Sequence, residues 1–550
     1  MRLDQLIAAD VAGADAAVEI SALAYDSRAV EPGTLFFCVP GLRSDGHDFA
    51  ARAVADGAAA LVVERSLGLG VPEVVVSSVR AAMGPVASRF YGDPSARLRV
   101  VGITGTNGKT TTAFLVRALL GAAGERTGLL GTVTAIVGGR ERPVRRTTPE
   151  ALDLHADFRA MLDGGDAACA MEVSSHALAL GRVGGVRFAA AVFTNLTQDH
   201  LDFHPTMEDY FQAKRRLFLP DPARRDVCPG PAPDVSVVNV GDPYGRRLAG
   251  EIGEGAIRFA VDDPDAAGCL DCGGGDAGGR GGAGVQGGAG VQGGAGGQGE
   301  AGDQRGAGGR EGEADYRATD LRCDSGGCRF ALHTPAGTRE AHVPMPGRFN
   351  VANALGALAA VHALGFDLDT LVAALARGVR VPGRFEPVDA GQDFAVLVDY
   401  AHTPDSLENV LRAARDIAGG RVVCVFGAGG DRDRGKRPLM GEISARLADL
   451  TFVTSDNPRS ESPAAIVAEI LAGVPSALVA DGSVQVEVDR RTAIARAVER
   501  AASEDVIVIA GKGHEQGQEL ADGRTLPFDD VTVAREALGA RMARTAGVGK

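Results

Sequence analysis

Cysteine is scarce: the 550-residue chain has eight, too few for a disulfide scaffold. They are expected to be reduced thiols. Cys269, Cys272, Cys323 and Cys328 flank a glycine tract as C-x2-C and C-x4-C, a loose spacing that favours unpaired thiols over a zinc site. Long apolar runs are also missing. The most apolar uncharged stretch, Asn353 to Phe366, is too short to cross a bilayer. The opening MRLDQLIAAD places Asp4 and Asp10 where a signal peptide would be apolar, so a cytoplasmic protein without membrane association is expected. No long basic run occurs, and 57 Lys plus Arg against 71 Asp plus Glu give a net charge of −14. A nucleic-acid coat, which needs a positive surface to neutralise phosphates, is disfavoured.

What the chain does have is an ordinary core-forming composition, 45% hydrophobic and 23% charged. Its 76 glycines are unevenly spread, with a dense tract from Gly273 to Gly312, where GGAGVQ at 281–286 repeats at 287–292. So few large apolar side chains cannot offset the entropy of ordering the backbone, and a flexible insertion spanning about 265–314 is expected there.

Elsewhere short apolar runs alternate with helix-length segments: LRVVGIT (98–104), AAAVFTN (189–195), VSVVNV (235–240), FAVLVDY (394–400), RVVCVFG (421–427), LTFVTSD (450–456) and EDVIVIAG (504–511). Near-continuous apolar strands separated by helices predict parallel sheets covered on both faces, a doubly wound α/β architecture present at least twice. Boundaries are expected near 98 and near 380, where VPGRFEPV supplies the proline and glycine of a connection. The domains are then 1–97, 98–379 and 380–550.

Strand LRVVGIT runs into GTNGKTTT (105–112) and then a helical pattern. Strand, glycine turn and helix together aim several backbone N–H groups and a helix N-terminus at one point, where phosphate oxygens are attracted. Gly105, Thr106, Asn107, Gly108, Lys109, Thr110 and Thr111 form this candidate nucleotide site, with Lys109 toward the terminal phosphates and Thr110 toward Mg²⁺. Ile103 stands where the strict P-loop pattern has its first glycine, so the loop is a variant. A P-loop alone leaves GTPase, kinase and motor readings open. Glu172 ends the strand-like run AACAMEV, where doubly wound sheets place ligand-binding groups, and is a second candidate metal ligand with His200 beside it.

The ordered motifs GITGTNGKT, TTPE, EVSSHAL, TNLTQDHLD, AKRRLF, GRFNVANALGA, VPGRFE, DYAHTPDSL, GAGGDRDRGKRP, DNPRSE and GKGHE make the sequence resemble the Mur ligases over essentially its whole length except the glycine-rich insertion. The resemblance implies three domains: an N-terminal UDP-binding domain, a central P-loop ATPase with a doubly wound sheet, and a C-terminal Rossmann-like α/β domain for the amino acid. It implies an ATP-dependent ligase of cytoplasmic peptidoglycan-precursor synthesis, acting as a monomer on small molecules. ATP would phosphorylate the terminal carboxylate of UDP-MurNAc-L-Ala-D-Glu, and an amino acid's amine would displace phosphate from the acyl phosphate.

By the same resemblance Thr110, Glu172 and His200 are Mg²⁺ ligands, and Lys109, Glu172, His200 and Lys214 form the catalytic set. Lys214 matches a lysine that is carbamylated to N6-carboxylysine; an unmodified cation beside Mg²⁺ would be repelled. Ser27 and Arg28 match the UDP-contacting motif, with SDGHDF (44–49) further along it. Thr147, Thr148, Ser174 and Arg182 match positions that hold the muramoyl-dipeptide. Asn350 and Arg384 match positions near ATP, and Asp399 and His402 lie in the DYAHTP motif. Arg432, Asp456, Asn457, Pro458, Arg459, Gly511 and Glu515 match the amino-acid site. Meso-diaminopimelate carries a distal carboxylate that lysine lacks, and a guanidinium grips a carboxylate through two parallel hydrogen bonds. An unpaired Arg459 is therefore expected to select diaminopimelate and to reject lysine. DNPR and the N-terminal DSR segment set the chain apart from folylpolyglutamate synthase, which shares the chemistry.

Overall fold

The structure is a computed structural model that describes residues 1–7, 11–12, 17–41, 44–144, 146–221, 230–262 and 314–548. The chain divides into a body, Met1–Val261 with Ala314–Lys550, and a second unit, Asp262–Glu313, of which only Asp262 is described. The glycine-rich tract and its two cysteines, Cys269 and Cys272, lie outside the described residues.

The body is built on three main sheets. The first has five strands, the second eleven and the third six. All seven apolar runs singled out in the sequence are strands, and each is short because polar turn residues bound it. LRVVGIT contributes Arg99–Thr104, AAAVFTN Ala190–Phe193 and VSVVNV Val235–Asn239, all in the second sheet. FAVLVDY contributes Ala395–Asp399, RVVCVFG Val422–Phe426, LTFVTSD Leu450–Val453 and EDVIVIAG Val506–Ala510, all in the third. Parallel pairing runs through the middle of the second sheet: Arg99–Thr104 lies between Ala168–Glu172 and Ala190–Phe193, with Glu172 level with Ile103. Buried apolar residues pack on both faces of these strands, as a doubly wound sheet requires.

The second sheet departs from the expected pattern at both edges. Thr127–Leu130 pairs antiparallel with Ala135–Val137, and Tyr316–Asp324, Gly327–Thr334 and Gly337–Val343 form an antiparallel meander. Here burial alternates along Tyr316–Asp324, because only one face is covered. Ala256–Val261 and Tyr316–Asp324 pair parallel, although the long insertion separates them in sequence.

The reduced state expected for Cys323 and Cys328 is corrected. They are register partners across the meander, with Cα atoms 4.1 Å apart, and are joined as a disulfide. Direct opposition on two antiparallel strands brings the sulfurs within bonding reach. Cys38, Cys169 and Cys424 are buried and have no disulfide partner among the described residues. No helix among the described residues is long and apolar enough to cross a membrane.

Candidate functional site

The phosphate loop lies between strand Arg99–Thr104 and helix Lys109–Ala122. Its two glycines are required. Gly105 has φ 149° and a Cβ there would sit 1.8 Å from Thr194 Oγ1; Gly108 has φ 85° and would meet Asn353 Oδ1 at 2.2 Å. Lys109 Nζ donates to the carbonyls of Gly105 (2.9 Å) and Thr106 (2.8 Å). Lys214 Nζ donates to the same Gly105 carbonyl at 2.7 Å and stands 4.6 Å over the Tyr210 ring. Two lysine side chains thus converge on one carbonyl oxygen. Burial pushes the pKa of each down, and for Lys214 the neighbouring charge of Lys109 pushes it further.

Thr110 and Thr111 are buried in the first turn of the loop helix. Asn350 and Asn353 lie on helix Arg348–Ala363, with Asn350 Nδ2 on the Pro346 carbonyl at 2.8 Å and Thr112 Oγ1 donating to Asn353 Oδ1 at 3.5 Å. Asn353 was not among the residues expected, and only the folded packing reveals it.

Glu172 is the hub of the site. Its carboxylate accepts from Thr110 Oγ1 (3.0 Å), the Thr132 backbone N–H (2.7 Å) and Thr132 Oγ1 (3.1 Å). Arg384 Nη2 donates to the same Thr110 hydroxyl at 3.1 Å while its guanidinium stacks 4.6 Å from the Tyr400 ring. Thr147 reaches Thr132 Oγ1 at 3.1 Å, and Thr148 donates to the Glu172 carbonyl at 2.9 Å. Ser174 N–H donates to Thr148 Oγ1 at 3.1 Å, and Ser174 Oγ caps helix Ser175–Ala179. Arg182 approaches Glu150 at 3.0 Å, and Arg146 and Arg80 flank that carboxylate. Thr132, which tethers the hub twice, has no sequence signature.

His200 lies within reach of the Lys109 and Lys214 charges but makes its contacts with other groups. Its backbone is left-handed, φ 56°, its Nε2 lies 3.4 Å from Asp199 Oδ2, and its ring meets that of His176 edge-on at 4.9 Å. Burial pushes its pKa down to about 3, against the pull of Asp199. Among the described residues no group of three or more His, Cys, Asp or Glu is placed to hold a metal ion. A carboxylate and a hydroxyl in contact nonetheless make a donor set of hard oxygens, which suits Mg²⁺, an ion that takes one or two carboxylates and completes its shell with phosphate oxygens and water.

The phosphate loop also meets the third sheet's region. Asn107 Nδ2 donates to Asp405 at 2.7 Å, in the first turn of helix Pro404–Ile417, and Gln198 Nε2 donates to Asp433 at 3.3 Å. Asp399 ends strand Ala395–Asp399, accepts from Phe385 N–H at 2.7 Å, and is pushed up to about 6 by burial. His402 Nδ1 meets the Tyr400 carbonyl at 2.7 Å.

At the rim of the third sheet, Asp456–Arg459 follows strand Leu450–Val453, and Gly511–Glu515 follows Val506–Ala510. Asn457 joins the two segments: its Nδ2 donates to Glu515 at 2.7 Å, and its Oδ1 accepts from Lys512 Nζ at 2.9 Å. Lys512, fully buried and also 3.0 Å from Glu515, is a further residue that sequence reasoning did not single out. Gly511, at φ 119°, leaves no room for a side chain, since a Cβ would come 2.4 Å from Asp456 Oδ2. The Pro458 carbonyl packs against Gly430 in the same way.

The unpaired state expected of Arg459 is corrected. Its Nε bonds Glu519 at 2.6 Å and its Nη1 the Gly430 carbonyl at 2.8 Å. A guanidinium near a carboxylate pairs with it, and Glu519 on strand Gly517–Glu519 is within reach. Glu461 is engaged instead by Arg434 and Arg437. Arg432 donates to the Asp431 carbonyl at 3.4 Å and flanks Gly429 opposite Arg459.

Ser27 opens a short turn on the first sheet, and Arg28 pairs with Asp26 at 2.6 Å, exposed to solvent. Tyr25, beside them, donates to Asp153 at 2.7 Å, tying this segment to helix Ala151–Asp163, which begins after Glu150.

Three family models match the chain: "Mur ligase family, catalytic domain" over residues 19–91, "Mur ligase middle domain" over 103–267 and 303–361, and "Mur ligase, glutamate ligase domain" over 383–513. Among curated relatives, the UDP-N-acetylmuramoyl-L-alanyl-D-glutamate–2,6-diaminopimelate ligase of Geobacillus kaustophilus is 43% identical, covering 95% of this chain and 96% of its own. The ligase of the same name from Streptomyces coelicolor is 43% identical, covering 96% and 94%. A solved structure of a ligase with this name aligns at 30% identity and a TM-score of 0.64, covering 98% of this chain and 99% of its own. The MurF ligase of Thermotoga maritima in complex with ADP has the same fold, with 17% identity, a TM-score of 0.58 and coverage of 96% and 99%. Taken with a lysine-bearing phosphate loop bonded to the strand-end carboxylate beside it, these matches place the chain in the Mur ligase family, three-domain α/β enzymes that spend ATP to form amide bonds in peptidoglycan precursors.

Proposed function

We infer that the enzyme adds meso-2,6-diaminopimelate to UDP-N-acetylmuramoyl-L-alanyl-D-glutamate through an acyl phosphate, as a cytoplasmic monomer with domain boundaries near 98 and 380. The observation that carries this reading is the convergence of Lys109 and Lys214 on the Gly105 carbonyl beside the Thr110–Glu172 bond. The Lys109 ammonium at the mouth of a helix N-terminus is suited to a triphosphate, and the neighbouring carboxylate, with Lys214 once carbamylated, to the metal that accompanies it.

A carboxylate is a poor acyl donor because its leaving group would be oxide. Transfer of the γ-phosphoryl group gives it phosphate as a leaving group, and the amine then attacks the acyl carbon. Lys109 and the backbone N–H groups of residues 105–111 hold the phosphates, and Arg384 and Asn350 border them. Thr110, Glu172 and His200 would hold Mg²⁺, which when bound neutralises phosphate charge. For His200, Asp199 would then hold Nε2 and leave the other ring nitrogen for the metal. Burial and the nearby Lys109 charge push the Lys214 pKa down, which favours the neutral amine that carbamylation consumes. Thr147, Thr148, Ser174 and Arg182, gathered around Glu172, bind the muramoyl-dipeptide end, with Ser27 toward its uridine. Arg432, Arg459 and Asn457 bind the distal carboxylate of diaminopimelate, and Glu515 its ammonium. Arg459 must exchange Glu519 for that carboxylate.

An ADP-release assay tests the reading. Turnover is expected only with both the muramoyl-dipeptide nucleotide and meso-diaminopimelate present, and equal rates with L-lysine would defeat the specificity assignment.

A further inference from the structure

Arg490 belongs to none of the motifs and touches none of the residues assigned to substrate through its own carbon chain. It opens helix Arg490–Arg500, is 2% exposed, and pairs with Asp530, which is fully buried. The pair is bidentate, with Nε to Oδ1 at 2.8 Å and Nη2 to Oδ2 at 2.7 Å. The rest of the guanidinium faces backbone: Nη2 donates to the Ala510 carbonyl at 2.9 Å, and Nη1 to the Ser455 carbonyl at 3.4 Å.

Those two carbonyls matter by position. Ala510 is the residue before Gly511, and Ser455 the residue before Asp456. One side chain therefore holds the last carbonyl ahead of each loop that carries the proposed amine-binding groups. Its charge also faces the carboxylates of Asp456 and Glu515. The gap it spans is tight, as the room denied to any Cβ at Gly511 demonstrates. A buried ion pair is replaceable by apolar residues at little cost in stability, so stability is a weak reason for placing one here. Holding two loops to within a fraction of an ångström is a stronger one, because recognition degrades when a binding constellation loosens by about 1 Å.

We propose that Arg490, oriented by Asp530, is a positioning residue that sets the spacing between the Asp456–Arg459 and Gly511–Glu515 loops and thereby the selection of the amine substrate. This rests on reading those loops as the diaminopimelate site. A ligand whose distal carbon carries both a carboxylate and an ammonium needs Arg459 and Glu515 at a fixed separation, whereas on this reading ATP and the muramoyl-dipeptide nucleotide bind away from these loops.

The test uses the full-length enzyme with ADP release as the readout, comparing wild type, Arg490→Lys and the double variant Arg490→Met/Asp530→Leu. The double variant removes both charges and so avoids stranding one of them. Arg490→Lys keeps a charge for Asp530 but cannot bridge both carbonyls. In both variants the KM for meso-diaminopimelate is expected to rise about tenfold or more, with the KM for ATP and for the nucleotide substrate within about twofold of wild type. The preference for diaminopimelate over L-lysine should fall by a similar factor. An unchanged KM for diaminopimelate in either folded variant overturns the proposal. So does a uniform loss of activity, with all three KM values unchanged, that tracks the folded fraction. If wild type itself shows no diaminopimelate-dependent turnover, the functional reading fails instead, and the two failures are thereby separated.

Discussion

Asn107 of the phosphate loop donates its side-chain amide to Asp405 at 2.7 Å, a bond between residues 298 positions apart that links the ATP-binding loop to the first helix of the third sheet's region. Asp405 is largely buried and its pKa is raised by that burial, so the bond forms away from bulk water. Removing the acceptor leaves a loop amide unsatisfied at a cost of about 1–2 kcal/mol, or roughly five- to thirtyfold. Asp405→Ala is expected to raise the KM for ATP by that factor while leaving the KM for diaminopimelate near wild type. Steady-state kinetics with each substrate varied in turn checks it.

Lys109→Ala should abolish turnover with either amine. Its amino group is held at the loop by the Gly105 and Thr106 carbonyls, and loss of a single preorganised charge-stabilising group commonly costs about a hundredfold or more. Retained ADP release would remove the loop from the chemistry.

The Arg459–Glu519 pair makes two opposite predictions. Arg459→Ala should lower kcat/KM for meso-diaminopimelate by about a hundredfold while barely changing the slow reaction with L-lysine. Glu519→Gln should lower the KM for diaminopimelate, because it removes the carboxylate that competes for the guanidinium. A higher KM in Glu519→Gln would show that Glu519 supports the substrate rather than competing with it.

His155 sets a pH dependence of stability. It is fully buried, Nε2 meets the Gly184 carbonyl at 3.0 Å, and Nδ1 has no hydrogen-bond partner among the described residues. Burial lowers its pKa from the ordinary 6.5, so the native state holds the ring neutral while the unfolded chain takes up a proton more readily. The unfolded state then binds more protons once the pH drops below about 6.5, and stability falls in that direction, with no contribution above it. Thermal unfolding from pH 8 to 5 should show a shallower acid loss in His155→Gln, which keeps a donor for Gly184 but does not titrate. Parallel curves for the two proteins would refute this.

The central strands were legible because they are buried on both faces, which writes an uninterrupted apolar run into the sequence. The antiparallel strands at the edges were not: Tyr316–Asp324 is covered on one face only, and its alternation is interrupted by a register shift between Thr319 and Arg322. At the site, Lys109 and Glu172 stood out because a glycine turn and a strand end announce them. Thr132, Asn353, Asp405, Lys512 and Arg490 did not, since each acts through a neighbour that is remote in sequence. Arg459 was found as a residue, but its partnership with Glu519, sixty positions on, is a product of folding.

Strands Ala256–Val261 and Tyr316–Asp324 run side by side in the same direction, a pairing that no tight turn can produce and that the strands' own register, Phe259 level with Tyr316, maintains. Lengthening a connection that already has to exist adds only a small closure entropy, growing with the logarithm of its size. A reporter domain or affinity handle spliced into the sequence between these two strands is therefore expected to leave their mutual ladder in place.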